Sequence, residues 1–197
     1  MKVKNIALLA AAMTCIAGSS VFAAAGEPVQ LKSSSADSYE VVQVVTTKDK
    51  DYYQYYNSAY KYAVDIPRTT GSADMSVDGD GCYFQDKKTG ATYMTYAAKN
   101  TMNFGIDELY NMDVGVNGTP QLTTNIKTKN SYAIAWTQDK TSYYHELYIN
   151  DKDKTYAAFT VTYPANKKDY FAKIIAHMSR SFNPNMQDGQ QVSANLQ

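Results

Sequence analysis

Alternating apolar and polar residues predict a β-hairpin near the start of the folded region. Residues 60–66 alternate strictly, and Pro67, which has no amide hydrogen for a sheet ladder, ends the run. The tyrosine-rich segment 52–56 is the predicted hairpin partner, and residues 57–59 (Asn-Ser-Ala) are the predicted turn between the two strands.

A second hairpin and a short helix are predicted further along the chain. The hairpin joins residues 82–85 to residues 91–97, and Gly90 stands at the turn position where a left-handed backbone is typical. Residues 105–112 (GIDELYNM) have the apolar spacing of a short helix.

Three consecutive strands are predicted next, at residues 132–137, 143–149 and 155–163. Because a slip of one residue turns a strand over, the apolar pattern is expected to select their register. We predict that Trp136 lies opposite Tyr143 and that Leu147 lies opposite Ala157.

This register predicts two distinct faces for the three strands. The first face carries large apolar residues, namely Ile134, Trp136, Leu147, Ile149, Phe159 and Val161. The second face receives Ala133, Ala135, Tyr144, Glu146, Tyr148, Tyr156 and Ala158.

An amphipathic helix is predicted to close the domain at residues 166–182. Asn166 is a good amino-terminal cap, and Pro184 follows the predicted end. The apolar side, expected to pack on the sheet, holds Tyr170, Phe171, Ile174, Ile175 and Met178. The charged side holds Asp169, Lys173, His177 and Arg180, so His177 is predicted to be a solvent-exposed surface residue.

The amino terminus has the three-part pattern of a cleaved secretory signal. A short positive start precedes an uncharged apolar run at residues 6–18, and small residues follow where signal peptidase reads the chain. We predict a signal peptide of residues 1–25, cleaved after Ala23 or Ala25. The mature protein is therefore expected to be exported, to the periplasm, the cell surface or the medium.

The remaining chain is predicted to hold one domain between two irregular segments. Residues 26–38 have the Pro and Ser content of a flexible leader, and residues 183–197 have the polar composition of a disordered tail. The domain itself is predicted at residues 39–182, which is long enough for a single hydrophobic core.

Charge and hydropathy narrow the classes of partner. Lys2 and Lys4 leave with the signal, so 19 basic residues become 17 against 19 acidic ones, a net charge of about −2. Without a basic stripe we expect no nucleic-acid partner. No segment outside the signal approaches the ~18–20 apolar residues of a membrane span, so we expect no transmembrane anchor.

The cysteines predict a core without disulfides. Cys15 falls in the signal, which leaves Cys82 as the one thiol of the mature chain. Cys82 is predicted to be a buried small hydrophobe, with pairing between chains or a reactive thiol as alternatives. Lipidation of Cys15 is disfavoured, because the preceding residues 12–14 (Ala-Met-Thr) lack the expected Leu and small residue.

The order of these elements and two of their motifs resemble a known family. The opening hairpin runs from Tyr55-x-Asn57-x-x-Tyr60 to Pro67, and the closing unit is a strand ending in Tyr-Pro followed by a helix ending in Ser-Phe. Together they resemble the PsbP-like family, the extrinsic photosystem II subunit and its exported bacterial relatives, over residues 53–182. Relatives often carry a Trp after the opening Pro, where this chain has Arg68-Thr-Thr-Gly.

The resemblance implies a fold and a general mode of action. The implied fold is α+β, an antiparallel β-sheet flanked by helices on both faces (an α/β/α sandwich). The implied activity is binding of other macromolecules rather than catalysis, with no functional residue carried over.

Few residues are candidates for catalysis. The chain has 2 histidines, and His145 falls on the predicted core-facing side of its strand, where a buried, hydrogen-bonded imidazole is expected. His145-Glu146 resembles the start of a zinc-protease motif, but Ile149 stands where the second His must be. Neither a Gly-x-Ser-x-Gly elbow nor a phosphate-binding glycine loop occurs, so we predict no enzyme, no catalytic residue and no cofactor.

The sequence DMSVDGDG is a weak candidate for a metal site. Its carboxylates, Asp74, Asp78 and Asp80, are close enough in sequence to wrap a calcium ion. The spacing fails for an EF-hand, because Tyr83 stands where the loop glycine must be. Asp-Gly steps also favour tight turns, so a turn is the preferred interpretation.

The second sheet face offers a speculative binding platform. With Tyr148 predicted opposite Tyr156, and with Tyr144 four residues before Tyr148 on the same face, three aromatic rings flank small alanines. Tyrosine presents a flat apolar ring and a polar tip to sugars, peptides or proteins. The competing interpretation is that tyrosine simply suits strands and that the predicted helix at 105–112 covers this face.

The sequence is compatible with three functions. The first is a non-catalytic exported binding or assembly module of the cell envelope, whose partner is an envelope protein or another macromolecule. The second is a small-ligand or carbohydrate-binding protein that uses Tyr144, Tyr148 and Tyr156. The third is a hydrolase built on paired carboxylates.

Overall fold

A computed structural model of the chain describes residues 42–46, 49–70 and 72–185. The predicted signal peptide of residues 1–25 and the predicted leader of residues 26–38 lie outside these residues, as does most of the predicted tail of residues 183–197.

The described elements follow the order expected from the hydrophobic pattern. The first six strands are β1 (Val42–Thr46), β2 (Tyr52–Asn57), β3 (Tyr62–Pro67), β4 (Ser72–Met75), β5 (Gly81–Asp86) and β6 (Ala91–Lys99). They are followed by helix α1 (Ile106–Val116), β7 (Leu122–Lys127), β8 (Ser131–Gln138), β9 (Thr141–Asn150), β10 (Thr155–Pro164) and helix α2 (Lys168–Ser181).

The strands form two antiparallel sheets. A three-stranded sheet has the order β1-β2-β3, and a seven-stranded sheet has the order β4-β5-β6-β10-β9-β8-β7. Both predicted hairpins are confirmed, and Gly90 has the expected left-handed backbone with φ of 77°. Left-handed φ at the end of a turn lets the two strands leave with matching twist.

The seven-stranded sheet is covered on both faces. Leu109 of α1 packs on one face, in a core with Tyr132 and Trp136. On the other face, α2 and the three-stranded sheet form a second core that includes Phe171 and Tyr62. The predicted α+β class, an antiparallel sheet flanked by helices, is confirmed.

The register between β9 and β10 differs from the prediction by one residue. Trp136 lies opposite Tyr143, as predicted, but Leu147 lies opposite Ala158 rather than Ala157. Because both faces of β10 are covered, apolar residues occupy both of its sides and their pattern does not select one register.

The turn before β10 sets the register instead. The side-chain oxygen of Asn150 accepts hydrogen bonds from the backbone amides of Lys152 and Asp153, each at 3.1 Å. Lys154 then takes a left-handed backbone with φ of 52°. The result is a four-residue loop that places Asn150 opposite Thr155.

The slip exchanges the two faces of β10. Phe159 and Val161 lie on the α2 side, where Tyr144 packs against the same core, so their predicted placement with Leu147 is wrong. Tyr156 and Ala158 lie on the α1 side with Leu147, so their predicted placement on the second face is also wrong.

The two helices differ from their predictions at their ends. The predicted helix at residues 105–112 is confirmed and continues to Val116. The closing helix begins at Lys168 rather than at Asn166, which lies in a short 3₁₀ turn and makes no cap. Tyr170, predicted on the apolar side, is 49% exposed, whereas Phe171, Ile174 and Met178 are buried. Cys82 is fully buried, as predicted.

Candidate functional site

The predicted tyrosine platform does not form. Tyr148 lies opposite Ala157 and not Tyr156, which stands opposite Ile149 on the other face of the sheet. Tyr148 packs edge-on against Phe182, with ring centroids 5.4 Å apart. Tyr144, Tyr148 and Tyr156 therefore present no common surface to a ligand.

Tyr144 instead anchors a buried carboxylate beneath α2. Glu146 is 6% exposed, and its Oε2 accepts hydrogen bonds from the Tyr144 hydroxyl at 2.6 Å and from Ser179 Oγ at 2.5 Å. Burial raises the pKa of the Tyr144 hydroxyl, and the adjacent Glu146 carboxylate raises it further. The hydroxyl therefore stays protonated and acts as a donor that fastens β9 to α2.

A groove runs beside this network, between α2 and the β7–β9 part of the sheet. Its volume is about 280 Å³. Among its lining residues only Lys168 is charged, and the others are hydroxyl-bearing, small or aromatic, apart from the aliphatic Ile175. The groove is lined by residues from both the sheet and the helix, including Thr124, Ala135, Tyr144, Ala172, Ala176 and Ser179.

β7 borders this groove and is an edge strand of the seven-stranded sheet. A bulge at Thr123 interrupts its pairing with β8, and regular pairing continues from Thr124 to Lys127. Ile126 lies opposite Ala133, on the same side as Thr124 and Ala135, and is 60% exposed. The groove therefore opens onto an edge that carries an exposed apolar side chain.

His145 is buried between the sheet and α1, as predicted. Its Nδ1 lies 2.9 Å from Thr160 Oγ1, and its Nε2 lies 2.9 Å from Asp113 Oδ2. The same Asp113 oxygen accepts a hydrogen bond from the Tyr132 hydroxyl. The order Thr-His-Asp resembles a catalytic relay, but the imidazole is 6% exposed and sits beneath α1, so the arrangement fastens the helix to the sheet.

The pKa of Asp113 reflects this pairing. Burial by itself raises the pKa of the carboxyl, but the hydrogen bond and charge of His145, with the Tyr132 hydroxyl, outweigh it. The pKa is left below its ordinary value, so the carboxylate is ionised at neutral pH. Asp113 lies beyond the predicted end of its helix, which is why the sequence did not single it out.

The prediction that His177 is a solvent-exposed surface residue is wrong. Its Nε2 lies 2.8 Å from Asp65 Oδ2 of β3, and its ring stacks on Tyr52 of β2 with centroids 3.6 Å apart. The side chain is 23% exposed. Because α2 lies against the three-stranded sheet, the predicted charged side of the helix is partly an interface.

The three aspartates of the DMSVDGDG segment belong to a strand and a turn. Asp74 is in β4, and Asp78 and Asp80 are in the turn before β5, where Gly79 has φ of 66°. Among the described residues, no group of three or more His, Cys, Asp or Glu side chains is arranged to hold a metal ion. None of the described helices has the length and apolarity of a membrane span.

Solved structures with a similar fold include a Ran-binding protein and a cyanobacterial PsbP. No protein-family model matches the chain, and no curated protein matches it. The Ran-binding protein Mog1p of Saccharomyces cerevisiae aligns with a TM-score of 0.47 at 7% identity, covering 72% of this chain and 97% of that chain. Cyanobacterial PsbP (CyanoP) from Synechocystis sp. PCC 6803 aligns with a TM-score of 0.48 at 10% identity, covering 66% and 90%.

Proposed function

We propose that this chain is an exported, non-catalytic binding module of the cell envelope, of PsbP-like architecture, that holds an extended segment of a protein partner. The observation that carries the proposal is the edge of β7, which opens onto the groove beside α2. Export rests on the signal-like amino terminus.

The edge supplies the main-chain part of the interaction. An edge strand has backbone N–H and C=O groups on one side that no neighbouring strand pairs, and an added strand satisfies them. The regular stretch Thr124–Lys127 has no proline, and its one charged side chain, Lys127, is turned to the α1 face, where it bonds Asp107. The groove-side face of this edge therefore lacks the charge that natural proteins use to block strand addition.

The groove supplies the selectivity. Alternate side chains of an added strand would point toward Ile126 and into the space between Ala135 and Ala176. With Lys168 as the one charged lining residue, the groove suits a largely uncharged segment with apolar side chains on one face. Tyr144 and Ser179 set its floor through their bonds to Glu146.

The test is site-specific crosslinking in the native cell envelope. A photoreactive amino acid replaces Ile126 in one variant and Val116 in another, because both are exposed apolar residues, at 60% and 62%, on different surfaces. We expect one dominant adduct from position 126 and none of it from position 116. Mass spectrometry identifies the partner.

A matched pair of substitutions then tests the edge. Ile126→Lys places a charge on the groove side of β7 and is expected to weaken binding of the identified partner at least tenfold. Val116→Lys adds the same charge to α1 and should leave the affinity unchanged. Equal crosslinking at both positions, or equal affinities of the two lysine variants, would refute strand addition at β7.

Export has its own test. Sequencing the amino terminus of the protein recovered from the envelope fraction is expected to begin at Ala24 or Gly26, after cleavage at Ala23 or Ala25. A full-length chain in the cytosolic fraction would overturn the localisation while leaving the groove experiment valid.

A further inference from the structure

A larger cavity lies at the end of β9 that is away from the groove. Its volume is about 580 Å³, within the range of small-molecule sites. It collects residues from the β2–β3 turn, the β4–β5 turn, the end of β6 and the β9–β10 turn. Its wall includes Tyr60, Lys61, Asp78, Lys99, Asp153 and Lys154.

Hydrogen bonds between these turns hold the cavity together. Asn57 Nδ2 donates to the carbonyl of Gly79 at 2.8 Å, which ties the β2–β3 turn to the turn that carries Asp78. The Asn100 amide donates to the carbonyl of Lys154 at 2.7 Å, which ties the end of β6 to the β9–β10 turn. The wall is therefore assembled from separate turns that are fixed to one another.

Three hairpin turns of this protein share one construction. Each has four residues between paired strand ends, and each starts at an Asn or Asp whose side-chain oxygen accepts a hydrogen bond from an amide in the turn. The capping residues are Asn57, Asp86 and Asn150. In each turn the last residue is left-handed, with φ of 54° at Lys61, 77° at Gly90 and 52° at Lys154.

The residue at this left-handed position distinguishes the cavity turns from the third turn. Gly90, away from the cavity, is the residue that suits this conformation best. A Cβ added there would meet only Pro164 Cγ at 3.7 Å, an ordinary contact, so conformation rather than space explains the glycine. Both turns that line the cavity carry lysine instead, although a side chain is disfavoured there. Strained residues of this kind cluster at functional sites.

Two lysines of the cavity wall, Lys99 and Lys154, are not paired with its two aspartates. Among the described residues, neither Lys99 nor Lys154 makes an ion pair within 4.0 Å with Asp78 or Asp153. Asp153 accepts a hydrogen bond from Asn150 Nδ2 at 3.0 Å. Lys99, Lys154 and the two aspartates thus line one space without forming ion pairs with one another.

We propose that this cavity binds an acidic sugar, a uronic acid carried free or at the end of a saccharide. Lysine ammonium groups suit the carboxylate, and the two aspartates suit the ring hydroxyls as acceptors. Tyr60 supplies an aromatic side chain of the kind that packs against a sugar ring. A simple phosphate site would not place two carboxylates in its wall. The proposal uses none of the residues of the groove beside α2.

The test is a titration of the ¹⁵N-labelled mature protein with glucuronate, glucose and inorganic phosphate, followed by amide chemical shifts. Glucuronate is expected to give saturable shifts at Lys61, Lys99 and Lys154 and to bind at least tenfold tighter than glucose or phosphate. Lys154→Gly should lower the affinity for glucuronate at least tenfold. Lys152→Gly, in the same turn but outside the cavity wall, should not.

Each contrary result overturns the proposal. If glucose binds as tightly as glucuronate, the lysines do not recognise the carboxylate. If phosphate binds as tightly as glucuronate, the aspartates do not recognise the sugar hydroxyls. Absence of saturable shifts removes the site. Lys154→Asn keeps a residue that tolerates the left-handed turn, so a loss of binding in this variant is due to the lost charge and not to a changed backbone.

Discussion

Asp113 Oδ2 of α1 lies 2.9 Å from Nε2 of His145 in β9, beneath the helix. This contact joins α1 to β9, and the Tyr132 hydroxyl donates a hydrogen bond to the same carboxylate oxygen. The arrangement is a structural clamp whose strength depends on the charge of Asp113.

Replacing that carboxylate is expected to destabilise the domain. Asp113→Asn should lower the free energy of unfolding at pH 7 by about 1–2 kcal/mol, because a hydrogen bond to a charged, largely buried group is lost. Urea unfolding measures the change. Glu108→Gln, on an exposed position of the same helix, is the control and should change stability by less than about 0.5 kcal/mol.

The same clamp predicts a pH dependence. The pKa of Asp113 is lowered in the folded state, so its contribution is present above the unfolded value of about 3.9 and is lost as the pH falls through the lower folded value. The free energy of unfolding of the Asp113→Asn variant should therefore fall less than that of the native protein when the pH is lowered from about 5 to about 3. Parallel pH profiles for the two proteins would contradict the clamp.

His177 is expected to matter for stability although it lies on the charged side of α2. His177→Ala removes the ring stacked on Tyr52 and the partner of Asp65, and should cost about 1–2 kcal/mol. Lys173→Ala is exposed on the same helix and should stay within about 0.5 kcal/mol of the native protein. If the two variants lower the thermal stability equally, His177 contributes no more than an exposed surface residue.

Phe182 is the aromatic residue that closes the α2 side of the core. It is 7% exposed and meets Tyr62, Tyr148 and Phe159 edge-on, at centroid distances of 6.4, 5.4 and 5.2 Å. Phe182→Ala should cost about 3–5 kcal/mol because it leaves a cavity among three rings. Tyr170→Ala, at a residue 49% exposed, is the control and should cost less than about 1 kcal/mol.

The left-handed lysines are expected to oppose stability. Lys61→Gly and Lys154→Gly should each raise the free energy of unfolding by about 0.5–1 kcal/mol. Glycine adopts the left-handed conformation without strain, and the greater entropy of the unfolded chain offsets part of this stabilisation. Gly90→Ala should lower stability by about 1 kcal/mol for the converse reason. Calorimetry of the three variants checks the signs, and a loss of stability in both lysine variants would show that these side chains stabilise the turns.

Much of the local structure was predictable from the sequence because its causes are local. Pro67 ends β3 and Gly90 ends the β5–β6 turn through their own backbone preferences, and both hairpins were predicted correctly. The helix near residue 106 and the burial of His145 and Cys82 likewise followed from short-range patterns.

The candidate sites were less predictable because their residues are distant in the chain. Asp65 and His177 are separated by 112 positions, and Asp113 and His145 meet only when α1 covers the sheet. No spacing rule joins such residues. The one sequence feature that could have indicated such a contact is a charged residue inside a strongly apolar strand, as Asp65 is in β3.

By itself, then, the sequence determined the strands, their turns and the α+β class, since alternation and turn chemistry act over a few residues. Only the tertiary structure decided which side of β10 faces which helix. Layers cover both faces of the sheet, so apolar residues on either side of β10 are satisfied in either register, and the Asn150 turn settles it. That single-residue choice places Tyr156 on the side opposite Tyr144, and it brings Lys154 to the cavity that it shares with Lys61.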